Sequence, residues 1–145
     1  MLNPRNEIMA YQAVVSGELS IDRSGRVWRL KKRTYDRWTG GTKTTACKKV
    51  RAEIGNLNDY FQVRVMRDGV RYYASAARLV WHHFRGEIPL GLTVNHKDGD
   101  KKNNRISNLE LMTMRQQIRH SIDALGTDYH KNLVPWKRSM GHRIN

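Results

Sequence analysis

Residues Leu92–Thr113 confine this chain to one local architecture, because two short apolar runs flank an eleven-residue polar loop that no helix accommodates. Leu92–His96 reads as a strand ending at a histidine. The loop Lys97–Ser107 holds two Asp, one Gly, two Asn and four basic residues, a composition that turns and exposes the backbone. Leu109–Thr113 reads as a second short strand. Thr113 as N-cap, with Gln116 three residues on, forms a capping box that predicts a helix over Met114–Leu125, stopped by Gly126.

Helical phase then sorts the residues of that last element. Met114, Ile118, Ile122 and Leu125 fall on one narrow apolar stripe, expected to lie against the strands. Gln117 sits on the flank of the stripe near its inner edge, within reach of the strand-end histidine. His120 points almost directly away, toward solvent or phosphate.

The preceding residues supply scaffold. Tyr60–Met66 alternates, with Phe61, Val63 and Val65 on one face and Gln62 and Arg64 on the other; Asp68-Gly69 turns the chain and Val70–Ala74 returns. Arg78–Phe84 reads as a short buried helix, closed by Arg85-Gly86 and a loop containing Pro89. Its His82 and His83 point about 100° apart, which suits packing or hydrogen bonding and not a shared ligand.

Charge indicates the partner. The 145 residues carry 27 Lys+Arg against 13 Asp+Glu, a net +14 that attracts polyanions, and nucleic acid is the leading expectation. Between Arg23 and Arg51 eleven Lys/Arg face one acid, Asp36. Within this arm Gly25–Leu30 reads as a short strand after a Ser24-Gly25 turn, and Thr39–Thr45 as a flexible loop. Such a segment is either a solvated basic surface or a phosphate-contacting one, and the interleaved Trp28, Tyr35 and Trp38 favour the second. The expected DNA contacts are Arg26, Arg29, Lys31, Lys32 and Arg33 in the arm, with Lys97, Lys101, Lys102, Arg105, Arg115 and Arg119 around the loop and final helix.

No run approaches the roughly 20 apolar residues of a membrane span, and the N-terminus lacks a signal-peptide core. The expectation is a soluble cytoplasmic protein without membrane association, in the host cytoplasm if phage-encoded. A single cysteine, Cys47, excludes an internal disulfide and a thiolate-rich zinc site. The tail from Thr127 is basic and aperiodic, with Trp136 as a candidate anchor.

The run RLVWHHFRGEIPLGLTVNHKDGDKKNNRISNLELMT, continuing through RQQIRHS, resembles the HNH nucleases with a ββα-metal core, and most closely phage homing endonucleases of that family. The resemblance covers roughly residues 60–125. IDRSGRVWRL is more weakly similar to the short modules that precede such cores. The implied fold class is α+β: a basic, β-rich N-terminal region over 1–55 for DNA contact, a ββα-metal nuclease core over 56–126, and an irregular tail over 127–145.

By position, the resemblance makes His96 the general base and Asn108 the residue that braces the loop and orients it. Asn95 becomes the first metal ligand, where relatives usually carry Asp and sometimes Asn. Gln117 takes the place of the second ligand, generally Asn or His. Ala77 stands where relatives often have His. The implied cofactor is one Mg²⁺ or Mn²⁺, weakly bound without DNA, because two amides bring no charge. Asp98 or Asp100 adds a carboxylate or simply forms a turn, and Gln117 is also an ordinary helix former whose extra methylene shifts its amide oxygen.

The implied activity is hydrolysis of phosphodiester bonds in duplex DNA, by a nick or a double-strand break, in a homing-type enzyme working as a monomer with no small-molecule cofactor. The alternatives are a DNA-binding module that keeps the fold and has lost catalysis through the positions of Asn95 and Gln117, and an RNA-binding protein.

Overall fold

The order of elements begins with a helix, α1 (Pro4–Val15), in the computed structural model, which describes residues 4–56 and 58–123. Proline at its first position suits a helix start, since the missing N–H would have had no partner there. A chain reversal at Ser16-Gly17 leads into β1 (Leu19–Ile21), β2 (Val27–Tyr35) and β3 (Thr42–Arg51), an antiparallel sheet in the order β1-β2-β3. The strands of this basic region are longer than the sequence suggests. The strand expected over Gly25–Leu30 runs on to Tyr35, and the loop expected over Thr39–Thr45 already pairs from Thr42, opposite Tyr35. Threonines paired across from cations (Lys32 with Thr45, Arg33 with Thr44, Thr34 with Lys43) extend the ribbon, and the turn closes within Asp36–Gly41, where Asp36 N–H bonds Gly41 O and Gly40 N–H bonds Asp36 O.

Glutamate 18 explains the irregularity in this sheet. The β2–β3 register shifts between Arg29 and Lys31, where the N–H groups of Leu30 and Lys31 both turn to the backbone carbonyl of Glu18.

The second sheet comprises β4 (Glu53–Gly55), β5 (Phe61–Arg67) and β6 (Val70–Ser75). As the alternation requires, Val63 and Val65 are buried, while Asp68 and Gly69 both adopt positive φ, the conformation of a tight hairpin turn. Strand β6 passes directly into α2 (Ala76–Arg85), capped by the Ser75 hydroxyl, which accepts from Arg78 N–H. The helix is longer than Arg78–Phe84 at both ends and buries Ala76, Ala77, Leu79 and Val80. His82 and His83 diverge: His82 lies half-buried beside Glu7, and His83 is exposed, edge-on to Phe84.

The third unit is the expected one. Strands β7 (Thr93–His96) and β8 (Leu109–Met112) form an antiparallel pair, a 3₁₀ turn (Ile106–Asn108) precedes β8, and α3 (Met114–Asp123) follows. Leu125, Gly126 and the tail lie outside the described residues.

A buried cluster joins all three units, drawing Ala10 and Ala13 from α1, Leu19, Val27 and Ala52 from the first sheet region, Val63 and Val65 from β5, Leu79 and Val80 from α2, and Leu109 from β8. Charged pairs reinforce it. Glu18, buried, takes Arg33 at 2.7 Å and Arg67 at 3.0 Å, tying the two larger sheets, and Glu7 on α1 pairs with Arg78 on α2. Among the described residues, no helix is long and apolar enough to cross a membrane.

Candidate active site

The capping box forms as its sequence requires. Thr113 N–H donates to Gln116 Oε1 at 2.9 Å, and Gln116 N–H donates to Thr113 Oγ1 at 3.2 Å, fixing the direction in which α3 leaves β8. The apolar stripe does not lie on the strands, however. Met114 and Ile122 are exposed, whereas Gln117, Ile118 and His120 are half-buried. Instead the helix is rotated so that its Gln117 flank faces inward. His120, expected to face away, follows that rotation. Its Nδ1 is shielded from solvent and has no hydrogen-bond partner among the described residues.

This rotation places Gln117 against β7. Thr93 Oγ1 donates to Gln117 Oε1 at 3.0 Å. Thr93 and Asn95, two residues apart on a strand, share that face. Asn95 is buried, and its Nδ2 donates to Glu110 Oε1 at 3.1 Å directly across the ribbon. Its Nδ2 is thereby engaged, and its Oδ1 is the atom left to serve a cation. Glu110 is a residue that motif reading passed over. The signal that would have found it is the strand register, which pairs Asn95 with Glu110. The donor set on this face is therefore two amide oxygens, a hydroxyl and a carboxylate, which suits a hard oxygen-seeking cation such as Mg²⁺ or Mn²⁺.

The last residue of β7 turns to other partners. His96 is buried, with Nε2 2.8 Å from Asn104 Oδ1 and its ring 6.2 Å from that of Tyr60, and Lys101 Nζ lies 4.7 Å over Tyr60. Asn108 makes no hydrogen bond to His96. It braces the loop, with Oδ1 accepting from Asp98 N–H and Nδ2 donating to Asp98 Oδ1 and Asn103 O, while its own carbonyl accepts from Lys97 N–H. Hydrogen bonds from Asn103, Asn108 and the Asp100 backbone hold the Asp98 carboxyl below its ordinary range. Asp98 and Asp100 thus serve the turn, Asp100 by accepting from Lys102 N–H.

The basic residues divide by surroundings. Arg26, Lys102 and Arg105 converge with Arg51 on a cleft of about 220 Å³ between the β1–β2 turn and the loop. Lys32, Lys97, Arg115 and Arg119 are exposed, as is Lys31. Arg29 and Arg33 are held by the fold. Arg29 donates to the Arg64 carbonyl at 2.6 Å, with its pKa lowered by burial and by Arg64, and Arg33 is paired with Glu18. Trp28 is gripped by Lys49 and Arg51 and donates to Asp22, leaving Trp38, 98% exposed at the β2–β3 tip, as the free aromatic of the arm.

A histidine closing one strand of a short ribbon, an asparagine-braced loop and a capped helix returning beside it form the ββα arrangement. Residues 75–119 match the HNH endonuclease family. This segment belongs to that family. The HNH segment is 44% identical over 45 residues to a SPbeta prophage-derived protein of Bacillus subtilis (strain 168) named as an HNH homing endonuclease, a match covering 31% of this chain and 26% of that protein. A solved structure of the HNH homing endonuclease I-HmuI, described for its DNA binding and cleavage, shares the fold with a TM-score of 0.56 and 24% identity, over 83% of this chain and 61% of the other. The chain thus spans about a quarter of the curated relative and less than two thirds of the solved nuclease.

Proposed function

We propose that this chain is a metal-dependent endonuclease that hydrolyses phosphodiester bonds in duplex DNA, with His96 as general base. The observation that carries the reading is the placement of His96, fixed by a side-chain amide at the end of the strand whose preceding residue, Asn95, presents an oxygen beside the Glu110 carboxylate. The two side chains leave adjacent Cα atoms about 3.8 Å apart, so base and cation-binding oxygens flank one strand end.

Asn95, Glu110 and Gln117 would hold the ion, with Thr93 positioning Gln117. A bound divalent cation would neutralise charge on the scissile phosphate and stabilise the departing 3′ oxygen. His96 removes the proton from the attacking water, a role an imidazole fills when neutral near pH 7. Asn108 keeps the loop folded around that base. Arg26, Lys102 and Arg105, together with Lys97, Arg115 and Arg119, neutralise the DNA backbone and fix its register, and Lys31, Lys32 and the exposed Trp38 extend the contact along the arm. One chain carries the whole site, and we take the monomer as the working unit.

A supercoiled-plasmid assay tests this. With Mg²⁺ or Mn²⁺ the chain nicks or linearises the plasmid, and His96→Ala lowers the rate by a factor of about 10²–10⁴ while leaving duplex binding intact. Equal DNA binding with no cleavage under either metal would establish the non-catalytic module instead.

A further inference from the structure

We propose that Asn104 is the positioning residue of the site: its side-chain carbonyl accepts from His96 Nε2–H and so holds the imidazole in the tautomer whose basic lone pair is on Nδ1. This rests on the reading of His96 as the base. The bond is 2.8 Å long between two buried side chains, Asn104 at 3% exposure and His96 at 6%. An amide oxygen only accepts, so the nitrogen facing it carries the hydrogen, and in a neutral ring the other nitrogen is then the acceptor. Reversing the amide would place an N–H₂ against Nε2, drive the hydrogen to Nδ1 and remove the base. Asn108, which sequence reasoning made the orienting residue, makes its bonds to Asp98 and Asn103 instead and acts on the histidine only through the loop.

The support behind Asn104 comes from the other end of the chain. Gly25, in the β1–β2 turn with φ +76°, seats so closely on the loop that an added Cβ would lie 1.9 Å from the Asn104 carbonyl oxygen, 2.3 Å from its carbon and 2.8 Å from Arg105 N. Asp22 fixes that turn, one carboxylate oxygen accepting from Ser24 N–H, Ser24 Oγ–H and Arg26 N–H and the other from Trp28 Nε1–H. The basic arm therefore buttresses the peptide that carries the orienting amide. Asn104 Nδ2, shielded from solvent, has no hydrogen-bond partner among the described residues, so the oxygen's bond to His96 is the polar contact that fixes the amide.

Long-range ¹H–¹⁵N correlation on the 145-residue chain, at a pH where the ring is neutral, reads the tautomer directly without DNA or metal. The wild-type His96 is expected as the Nε2–H form. Asn104→Asp, which keeps an acceptor, retains that form and cleaves within a few-fold of wild type. Asn104→Leu, of similar volume, yields a mixture of tautomers and cleaves about tenfold to a hundredfold more slowly with unchanged duplex Kd, a loss of the size that misorientation causes. An Nδ1–H ring in the wild type overturns the proposal whether or not any variant folds, as does a folded Asn104→Leu whose tautomer and cleavage match wild type. An Nε2–H ring in a chain that cuts no DNA overturns the hydrolytic reading and leaves the tautomer assignment standing.

Discussion

Glu110 alters the electrostatics that the motif residues suggest by themselves. The two amides at the proposed cation-binding positions supply no charge, but Glu110 lies across the ribbon with one oxygen accepting from Asn95, so a carboxylate stands next to the first proposed ligand. Substituting Asn95→Asp replaces that hydrogen bond by two adjacent carboxylates. The expected result is a Mn²⁺ affinity at least about tenfold tighter, measured by calorimetry or electron paramagnetic resonance, with metal-free stability lower by roughly 1 kcal/mol from like-charge repulsion. Unchanged affinity would place the ion elsewhere. Gln117→Asn tests the second position: a shorter side chain loses the Thr93 hydroxyl at 3.0 Å, and any gain in metal affinity would have to exceed that loss. His96, Asn95 and Asn108 enter the proposed site through the family resemblance of the motif that carries them. Asn104 was passed over because Asn103 and Asn104 are indistinguishable in a polar loop. Only the folded loop turns one to Asp98 and the other to His96.

At the level of elements, local codes succeeded where short-range chemistry suffices. The Thr113–Gln116 box and the Asp68-Gly69 hairpin both formed, since each depends on residues no more than three apart. Helical phase for α3 succeeded only in part: Gln117, expected near the inner edge, does meet Thr93 of β7, whereas Met114 and Ile122 of the expected buried stripe are exposed and His120 is half-buried. The first helix, α1, had no strong periodic signature and is fixed by packing on β5, β6 and α2. The Asp22 turn has a pH signature. Burial pushes its carboxyl up, but bonds from Ser24, Trp28 and the Arg26 backbone outweigh burial and bring the pKa from 3.8 to about 2. A depressed carboxyl stabilises the fold fully above its unfolded value and loses that contribution as pH falls through its folded value. Thermal stability of the wild type is therefore expected to decline between about pH 4 and 2 more steeply than that of Asp22→Asn, in melts followed by circular dichroism. Parallel curves for the two would show that the turn holds no such energy.

Across the whole molecule the arm is packed against the loop that follows His96. Glu18 ties Arg33 of the first sheet to Arg67 of the second, and Gly25 presses the first sheet's turn onto the peptide between Asn104 and Arg105. Two glycines with left-handed φ separate backbone strain from docking. Gly40, at the hairpin tip with φ +67°, has nothing within 4 Å of an added Cβ, whereas Gly25 meets backbone atoms. Gly40→Ala is expected to cost about 1 kcal/mol. Gly25→Ala is expected to cost about 3 kcal/mol or more and to reduce plasmid cleavage as well, since the loop holding His96 must shift. Equal losses in denaturant titrations of the two variants would mean that the arm and the loop are not coupled.

The sequence by itself determined what depends on neighbours along the chain: the strand, loop, strand and capped helix around His96, the alternation of β5, the family of the HNH segment and the attraction to polyanions that a net +14 imposes. Tertiary structure decided what depends on contacts between distant segments. It withdrew Arg29 and Arg33 into the fold, placed Glu110 beside Asn95, rotated α3 to bring Gln117 to Thr93, and set Asn104 against the histidine with Gly25 behind it. The reason is physical. Hydrogen-bond and steric constraints across a sheet or between a turn and a loop act over a few ångströms in space, and residues separated by tens of positions meet there only once the core has closed.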